Sequence, residues 1–426
     1  MTVTNRLAIL CGGGPAPGLN SVIGAATIRA ALEGVEVLGI PDGFQHLMRG
    51  EIGQVRTLGI EEVSRIHFSG GSIIGISRAN PTRDPRFLEA ATTSLEQLGV
   101  DKLITIGGDD TAFSAMKLAE HSQGRLRVAH VPKTIDNDLD LPHGISTFGY
   151  QTARHLGVEI VKNLMTDART TRKWFLILTM GRTAGHLALG IGKAAGATLT
   201  IIPEEFGQGP LRLDHLVDIL VGAIIKRQAL GHADGTAVLA EGLIERLDPQ
   251  DLASIDVIER DEHDHLRLAE VNLGEVVKMR LRPRLAEFGL EPTLVVKDIG
   301  YELRCADPIP FDLEYTRDLG YCAAKFLLEG GSNAVVTMQN GHFVPIPFSQ
   351  MLDPRTGRTR VRLVDVDSEQ YKIARRYMVR LRRDDFTNDV ALSRLAAVAR
   401  RSPSEFRERF AYLVENEAPP LRLPIV

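Results

Sequence analysis

Cysteine is scarce in this chain. Cys11, Cys305 and Cys322 stand far apart among 426 residues, without the paired spacing of a metal knuckle. An odd, sparse set of thiols excludes a disulfide framework and points to a reducing, cytoplasmic setting. Long apolar runs are missing too: stretches such as Trp174–Met180 fall far short of the roughly 20 residues that a membrane span needs. Residues 1–6 lack a basic region followed by an apolar stretch and a cleavage site, so no export signal is visible. A net charge of −4 is too small to signal a polyanionic partner, and no low-complexity tract or repeat of fixed period is present. Glycine, by contrast, is plentiful at 40 residues, as many strand-to-helix turns and phosphate loops require. The length allows two or three domains with ample core.

Two acidic clusters organise the chain, each at the end of an apolar run. Leu103–Ile106 leads into Gly107-Gly108-Asp109-Asp110-Thr111, and Val128–Val131 leads into Pro132-Lys133-Thr134-Ile135-Asp136-Asn137-Asp138. Short β-branched runs closed by turns read as buried parallel strands, and open α/β sheets hold ligands just past the carboxyl ends of such strands. Asp109, Asp110, Asp136 and Asp138 are therefore expected to face one crevice. Four carboxylates repel unless a cation or a proton intervenes. Hard oxygens with few other ligands suit a Mg²⁺ that keeps its waters and bridges to phosphate, which is the chemistry of phosphoryl transfer. Each stretch alone is an ordinary turn sequence, because Gly, Asp and Asn all favour turns. The two together, with Lys133 and Thr134 beside them, point to a site.

Other turns fit the same chemistry. Leu7–Leu10 runs into Cys11-Gly12-Gly13-Gly14-Pro15-Ala16-Pro17-Gly18 and then an Ala-rich helix from Leu19 to Leu32, so that free N–H groups and a helix dipole converge on one anion. Prolines interrupt this turn, so it is no dinucleotide fingerprint, and it lacks the ending of a P-loop. Val35–Ile40 reads as a strand ending at Pro41, and Ser69–Arg78 as a glycine loop ending in a cation. Further strands are expected at Lys173–Thr179, Ala197–Ile202, Thr236–Ala240, Thr293–Ile299 and, last, Asn333–Met338, with helices over Phe148–Met165, Leu211–Leu230 and from Pro310 to Leu328. His186 reads as structural, and the charged segment from Leu247 to Asp264 as exposed loop and helix. From about Val379 a helical extension carries Phe406, Phe410, Leu413 and Val414 at helical spacing. Its mixed-charge, arginine-rich face reads as solvated and ion-paired, not as a nucleic-acid surface.

Gly107–Thr111, Pro132–Asp138 and Met180-Gly181-Arg182 resemble, in order, the three signature motifs of the phosphofructokinase family in its pyrophosphate-using version, and the likeness extends from about Ala8 to about Pro347. The resemblance implies an α/β fold of two interleaved Rossmann-like domains with the active site in the cleft between them. Residues 1–148 and 306–346 would serve the phosphoryl donor and Mg²⁺, residues 149–305 and 347–378 the sugar phosphate, and 379–426 would form the extension. The implied reaction is phosphorylation of the 1-hydroxyl of fructose 6-phosphate, with Asp136 as general base and Thr134 and Asp138 beside it. By the same likeness Arg78, Arg182 and Lys133 supply positive charge. Gly13, Gly14, Asp110 and Lys133 hold pyrophosphate, while Asp109 and Asp138 hold Mg²⁺. Met180, Gly181, Arg182 and Glu241 grip the sugar, and Tyr301 and Arg304 its 6-phosphate. Lys173 stands where relatives place a basic residue that reaches a neighbouring subunit's substrate, which implies a homodimer or homotetramer with a shared site.

Three positions bear on the donor. In ATP-using relatives the positions of Asp110 and Lys133 are commonly glycine, and an aromatic often stands at the position of Pro41 to stack on adenine. Here a carboxylate obstructs and repels an α-phosphate, proline cannot stack, and Lys133 can pair with the end of pyrophosphate. The alternatives are an ATP-dependent 6-phosphofructokinase, a sedoheptulose 7-phosphate kinase and, from another class, a catalytically silent regulatory subunit. The presence of Asp136, Asp138, Arg182 and Arg78 counts against the last. A generic NAD- or lipid-kinase-like reading leaves Met180-Gly181-Arg182 unexplained.

Overall fold

The computed structural model describes residues 5–207, 209–253, 272–355, 359–415 and 417. Contacts divide the chain into two compact units, Met1–Leu156 with Tyr301–Arg362 and Gly157–Gly300 with Leu363–Val426, so each unit draws on two separate segments. In chain order the strands are β1 (Arg6–Cys11), β2 (Glu36–Ile40), β3 (Arg56–Leu58), β4 (Lys102–Gly107), β5 (Arg127–Thr134), β6 (Phe148–Gly149), β7 (Lys173–Thr179), β8 (Leu199–Ile201), β9 (Gly235–Ala240), β10 (Thr293–Ile299), β11 (Ala334–Gln339) and β12 (His342–Pro347).

The first unit holds one sheet in the order β12-β11-β5-β4-β1-β2-β3, with β6 beside β5. Successive residues of its central strands enter two different apolar cores. Leu7, Ile9 and Cys11 join Ile104, Ile106, Ala129 and Val131 on one face, while Ala8 and Leu10 join Leu103 and Val128 on the other. A strand buried on both faces must be apolar throughout, which is why these strands read as continuous runs. The helices Leu19–Ala31 and Pro310–Leu328 cover the first face; Pro85–Gln97 and Asp109–His121 cover the second. Both sheet edges, β3 and β12, are antiparallel to their neighbours. β11 is not the last strand, contrary to the expectation from sequence. Asn340 and Gly341, with φ of 51° and 79°, turn the chain straight back into β12. Two-residue hairpins need this left-handed pair of conformations, and Asn-Gly adopts it readily. β1 lies between β2 and β4, so the chain reverses its direction of winding there. Ligands of open α/β sheets bind outside the strand ends at such a reversal.

In the second unit β10-β7-β9-β8 form a wholly parallel sheet. Trp174 and Leu176 pack there with residues of the helices Leu213–Ala229 and Leu273–Ala286. The same core takes in Phe386, Leu392, Leu395, Phe406 and Phe410 from the helices Arg383–Thr387, Asp389–Val398 and Pro403–Phe410. The Phe410 ring lies 4.9 Å from Phe406 and 5.5 Å from Phe288. The helical extension is thus one wall of the second unit. Nor is its arginine face simply solvated: Arg380, only 5% exposed, and Arg375 both bind Glu205, at 2.5 and 3.1 Å, and Arg409 reaches buried Asp218 at 2.8 Å. Those carboxylates come from distant segments, so local charge patterning does not reveal them. Residues 254–264 of the charged segment and 418–426 of the extension lie outside the described residues. Among the described residues no helix is long and apolar enough to cross a membrane.

Candidate active site

Glycines let the ends of β1 and β4 meet in the first unit. A Cβ on Gly12 would lie 2.4 Å from Thr111 Oγ1, and one on Gly107 would lie 2.3 Å from Thr111 Cβ, so any side chain would drive the loop after β1 away from the first turn of Asp109–His121. Gly12 N donates to the Ile106 carbonyl and Gly13 N to the Ser77 carbonyl, each at 2.8 Å, which brings the loop ending in exposed Arg78 to the same place. A buried asparagine that the sequence reading passed over holds the start of that loop. Asn20 Nδ2 donates to the Ser69 and Gly70 carbonyls at 3.1 and 3.2 Å, and its Oδ1 accepts from Ile73 N at 2.9 Å. Pro41 follows β2, and the nearby Gly43 packs on the Cys11 carbonyl, 2.6 Å from where its Cβ would be. Asp109, half-buried, and Asp110, exposed, occupy the first helical turn, where the helix dipole favours negative charge.

Lys133, near the end of β5, is 4% exposed, and its ammonium donates to the Gly14 carbonyl. Burial lowers its pKa to about 8; Cys11 and Asp136 pull upward, and Arg304 adds to the depression. Arg304 comes from the short helix Tyr301–Arg304, with its guanidinium 5.3 Å from the Tyr301 ring and against Gly14, where a Cβ would lie 2.5 Å from Nη2. Both residues therefore belong to the first unit, whereas the expected division placed them with the sugar domain. The contact joins Gly14 to Arg304, far apart in the sequence, which is why the boundary was not visible locally.

Gly107 of β4 sits opposite Pro132 of β5, so the segments that carry Asp109 with Asp110 and Asp136 with Asp138 follow the ends of neighbouring parallel strands. Asp136 N donates to Thr134 Oγ1 at 3.0 Å, and the Thr147 hydroxyl donates to the Thr134 carbonyl at 2.7 Å. Asn137, with φ of 57°, makes the turn between the two aspartates, which are 8% and 6% exposed. His130 supports the Gly107 turn from below. A carbonyl only accepts, so Nε2, 3.0 Å from the Gly107 oxygen, carries the hydrogen, and Nδ1 accepts from the Thr105 hydroxyl at 2.9 Å. Burial drives the pKa of His130 down to about 3, so the ring is neutral. Among the described residues no cluster of three or more His, Cys, Asp or Glu is arranged to hold a metal. A carboxylate at the end of each of two paired strands, Asp109 and Asp138, fits a cation of another habit: Mg²⁺, which takes one or two protein oxygens and completes its shell with water and phosphate.

In the second unit the loops after β7 and β9 meet because the strands are neighbours. Gly181 N and Arg182 N donate to Glu241 Oε2 at 3.1 and 3.2 Å, and Met180 N donates to the Ile299 carbonyl at 3.0 Å. Glu204, not anticipated from sequence, accepts from Gly185 N at 2.9 Å and from Val364 N at 3.0 Å. Met180, Gly181, Arg182 and Glu241 are thus brought together. Lys173 is not: it begins the seven-residue strand whose other end leads to Met180, roughly 20 Å away. His186 opens the helix His186–Ala195.

The chain matches the family model described as Phosphofructokinase over residues 6–327. It belongs to the phosphofructokinase family. Over 418 residues the chain is 51% identical to the pyrophosphate–fructose 6-phosphate 1-phosphotransferase of Thermotoga maritima, covering 97% of this chain and 100% of that one. It is 48% identical to the enzyme of the same name from Naegleria fowleri, again over 418 residues and 96% of each chain. The crystal structure of Pichia pastoris phosphofructokinase in the T-state matches with a TM-score of 0.64 at 24% identity, which shows the fold; the match covers 82% of this chain and 35% of that longer one.

Proposed function

We propose that this phosphofructokinase transfers a phosphoryl group reversibly between pyrophosphate and the 1-hydroxyl of fructose 6-phosphate. The observation that carries the choice of donor is the buried Lys133 ammonium on the Gly14 carbonyl, facing a loop closed by the helix that begins with Asp109 and Asp110. A cation there pairs with a small, highly charged donor, and the Asp110 carboxylate repels an α-phosphate. Its relatives in T. maritima and N. fowleri are named for this donor and this sugar.

In the forward direction Asp136 takes the proton of the 1-hydroxyl as that oxygen attacks the terminal phosphorus. The bond from phosphorus to the bridging oxygen breaks, and phosphate leaves. Thr134 fixes the Asp136 backbone, while Arg78 and Arg182 offset charge on the transferring group, the main demand of this chemistry. Asp109 and Asp138 would hold a Mg²⁺, which would supply further neutralisation of the phosphoryl charge. Gly13 and Gly14 line the donor site. Met180, Gly181 and Glu241 grip the sugar, and Tyr301 and Arg304 its 6-phosphate. Lys173 reaches the substrate of a neighbouring subunit in a cytoplasmic homo-oligomer. The test is turnover of fructose 6-phosphate with pyrophosphate and with ATP at equal Mg²⁺. Pyrophosphate is expected to be better by about a hundredfold or more, the size of one lost buried charge contact. A preference for ATP would overturn the donor assignment, and turnover with neither would overturn the reaction.

A further inference from the structure

Arg362 ends the first unit, beyond the residues matched by the family model. Its backbone runs along the loop that carries Asp136 and Asp138: Leu139 bridges to Val361, and Arg362 N donates to the Asp138 carbonyl at 2.7 Å. The side chain then folds over the same loop. Nε and Nη2 each donate to the Asn137 carbonyl at 3.1 Å, and Nη2 also donates to Asn137 Oδ1. Nη1 donates to the Ile145 carbonyl at 2.7 Å and approaches the Leu141 carbonyl at 3.5 Å. One guanidinium thus gathers acceptors spread over residues 137–145. It does so at Asn137, whose left-handed conformation, open to asparagine more readily than to most other side chains, makes the turn between the two aspartates. Thr147 N, at 3.1 Å from Asn137 Oδ1, holds the same side chain from the other direction.

We propose that Arg362 is a positioning residue for the phosphoryl transfer, its planar fork of donors locking the Asn137 turn and thereby the directions in which Asp136 and Asp138 present their carboxylates. It acts through Asn137, not on substrate. The fork matters more than the charge: a guanidinium offers five N–H groups in fixed geometry, whereas lysine offers three on one atom and cannot reach carbonyls several residues apart. Arg360, two residues earlier, has a different partner, since its Nε pairs with Asp140 at 2.6 Å. The inference rests on the assignment of Asp136 as general base.

The experiment compares the full-length protein with Arg362→Lys, Arg362→Gln, Asn137→Ala, the double variant Arg362→Lys/Asn137→Ala, and Arg360→Gln as control. Each is measured for kcat, for KM toward pyrophosphate and fructose 6-phosphate, and for its melting midpoint. Arg362→Lys is expected to lose about tenfold to a hundredfold in kcat, the cost of reacting groups misplaced by an ångström or so, with both KM values within about threefold. Arg362→Gln is expected to lose more, and the double variant less than the product of the two singles, because both changes release one turn. Arg360→Gln is expected to keep kcat within about threefold. A normal kcat in Arg362→Lys, a loss confined to KM, or a fully multiplicative double variant would overturn the inference. If Arg362→Lys melts below the assay temperature, Asn137→Ala decides, and an unchanged kcat there overturns it equally. Absence of turnover in the unaltered protein would sink the proposed function instead.

Discussion

Lys133 is a cation held close to the pH at which it loses its charge. Burial is the larger influence on it and favours the neutral amine, so its pKa sits at about 8. Below that value the ammonium is present to pair with the proposed pyrophosphate donor; above it the amine is neutral and that attraction would be gone. The kcat/KM for pyrophosphate, which reports groups of the free enzyme, is therefore expected to fall above about pH 8, and Lys133→Arg, charged throughout, is expected to move that limb upward. A pH profile of both proteins checks this; a limb that does not move would assign the titration to another group. His130 works in the opposite range. Its folded pKa of about 3 lies below the 6.5 of a free histidine, so between those values the unfolded chain binds the additional proton. Stability from this group is intact above pH 6.5 and declines as pH falls toward 3, by up to roughly 1.4 kcal/mol per pH unit. Denaturant titrations of the protein and of His130→Gln at pH 7 and pH 5 are expected to show the smaller pH dependence in the variant. Lys133 and Asp136 stood out in sequence because they share one short motif, Pro132–Asp138. Asn20, His130 and Arg362 were not, because their partners are far along the chain; Arg362 and Asn137 are separated by 225 residues.

At the scale of elements, the strands of the first sheet were legible where both faces are buried, and least legible at its edges. β12 is interrupted by Pro345 and Pro347 and is only half-buried or exposed, and β3 is three residues long, so neither gives the signal of a core strand. The Asn340-Gly341 pair was the available clue to β12. In the second unit the helix Glu369–Tyr377 and the strand of chain after it are fastened by Glu205, whose carboxylate lies between Arg375 and Arg380. With side-chain exposures of 3% for Glu205 and 6% for Arg380, removal of the carboxylate leaves a guanidinium with neither solvent nor counter-charge. Glu205→Gln is expected to lower stability by about 3 to 5 kcal/mol, the usual cost of breaking one side of a buried ion pair. Chemical denaturation is the measurement, and a loss below about 1 kcal/mol would show that the pair behaves as a surface contact.

At the scale of the whole molecule, the family resemblance faded before the segment that completes the second unit's core. The spacing of Phe406 and Phe410 revealed a helix but not what it packs against, since Phe288 and the helix Leu213–Ala229 lie well over a hundred residues upstream. Deletion of residues 383–426 would strip Phe386, Leu392, Leu395, Phe406 and Phe410 from that core. At about 2 to 5 kcal/mol for each large side chain lost, the total matches or exceeds the whole stability of a typical domain. The truncated chain is therefore expected to be insoluble on expression, and a soluble, cooperatively melting product would contradict this account. The interleaved connectivity also orders events on the ribosome. β11, β12 and Arg362 are made only after all four strands of the second unit's sheet, and the Phe406–Phe410 wall is made later still. Neither unit can close while the other is being translated, so the usual sequence of one finished domain after another is not open to this chain. From the completion of β5 at Thr134 until β11 begins at Ala334, the edge of β5 that later receives β11 waits without its partner, and the nascent polypeptide must be kept from pairing that edge with a neighbour.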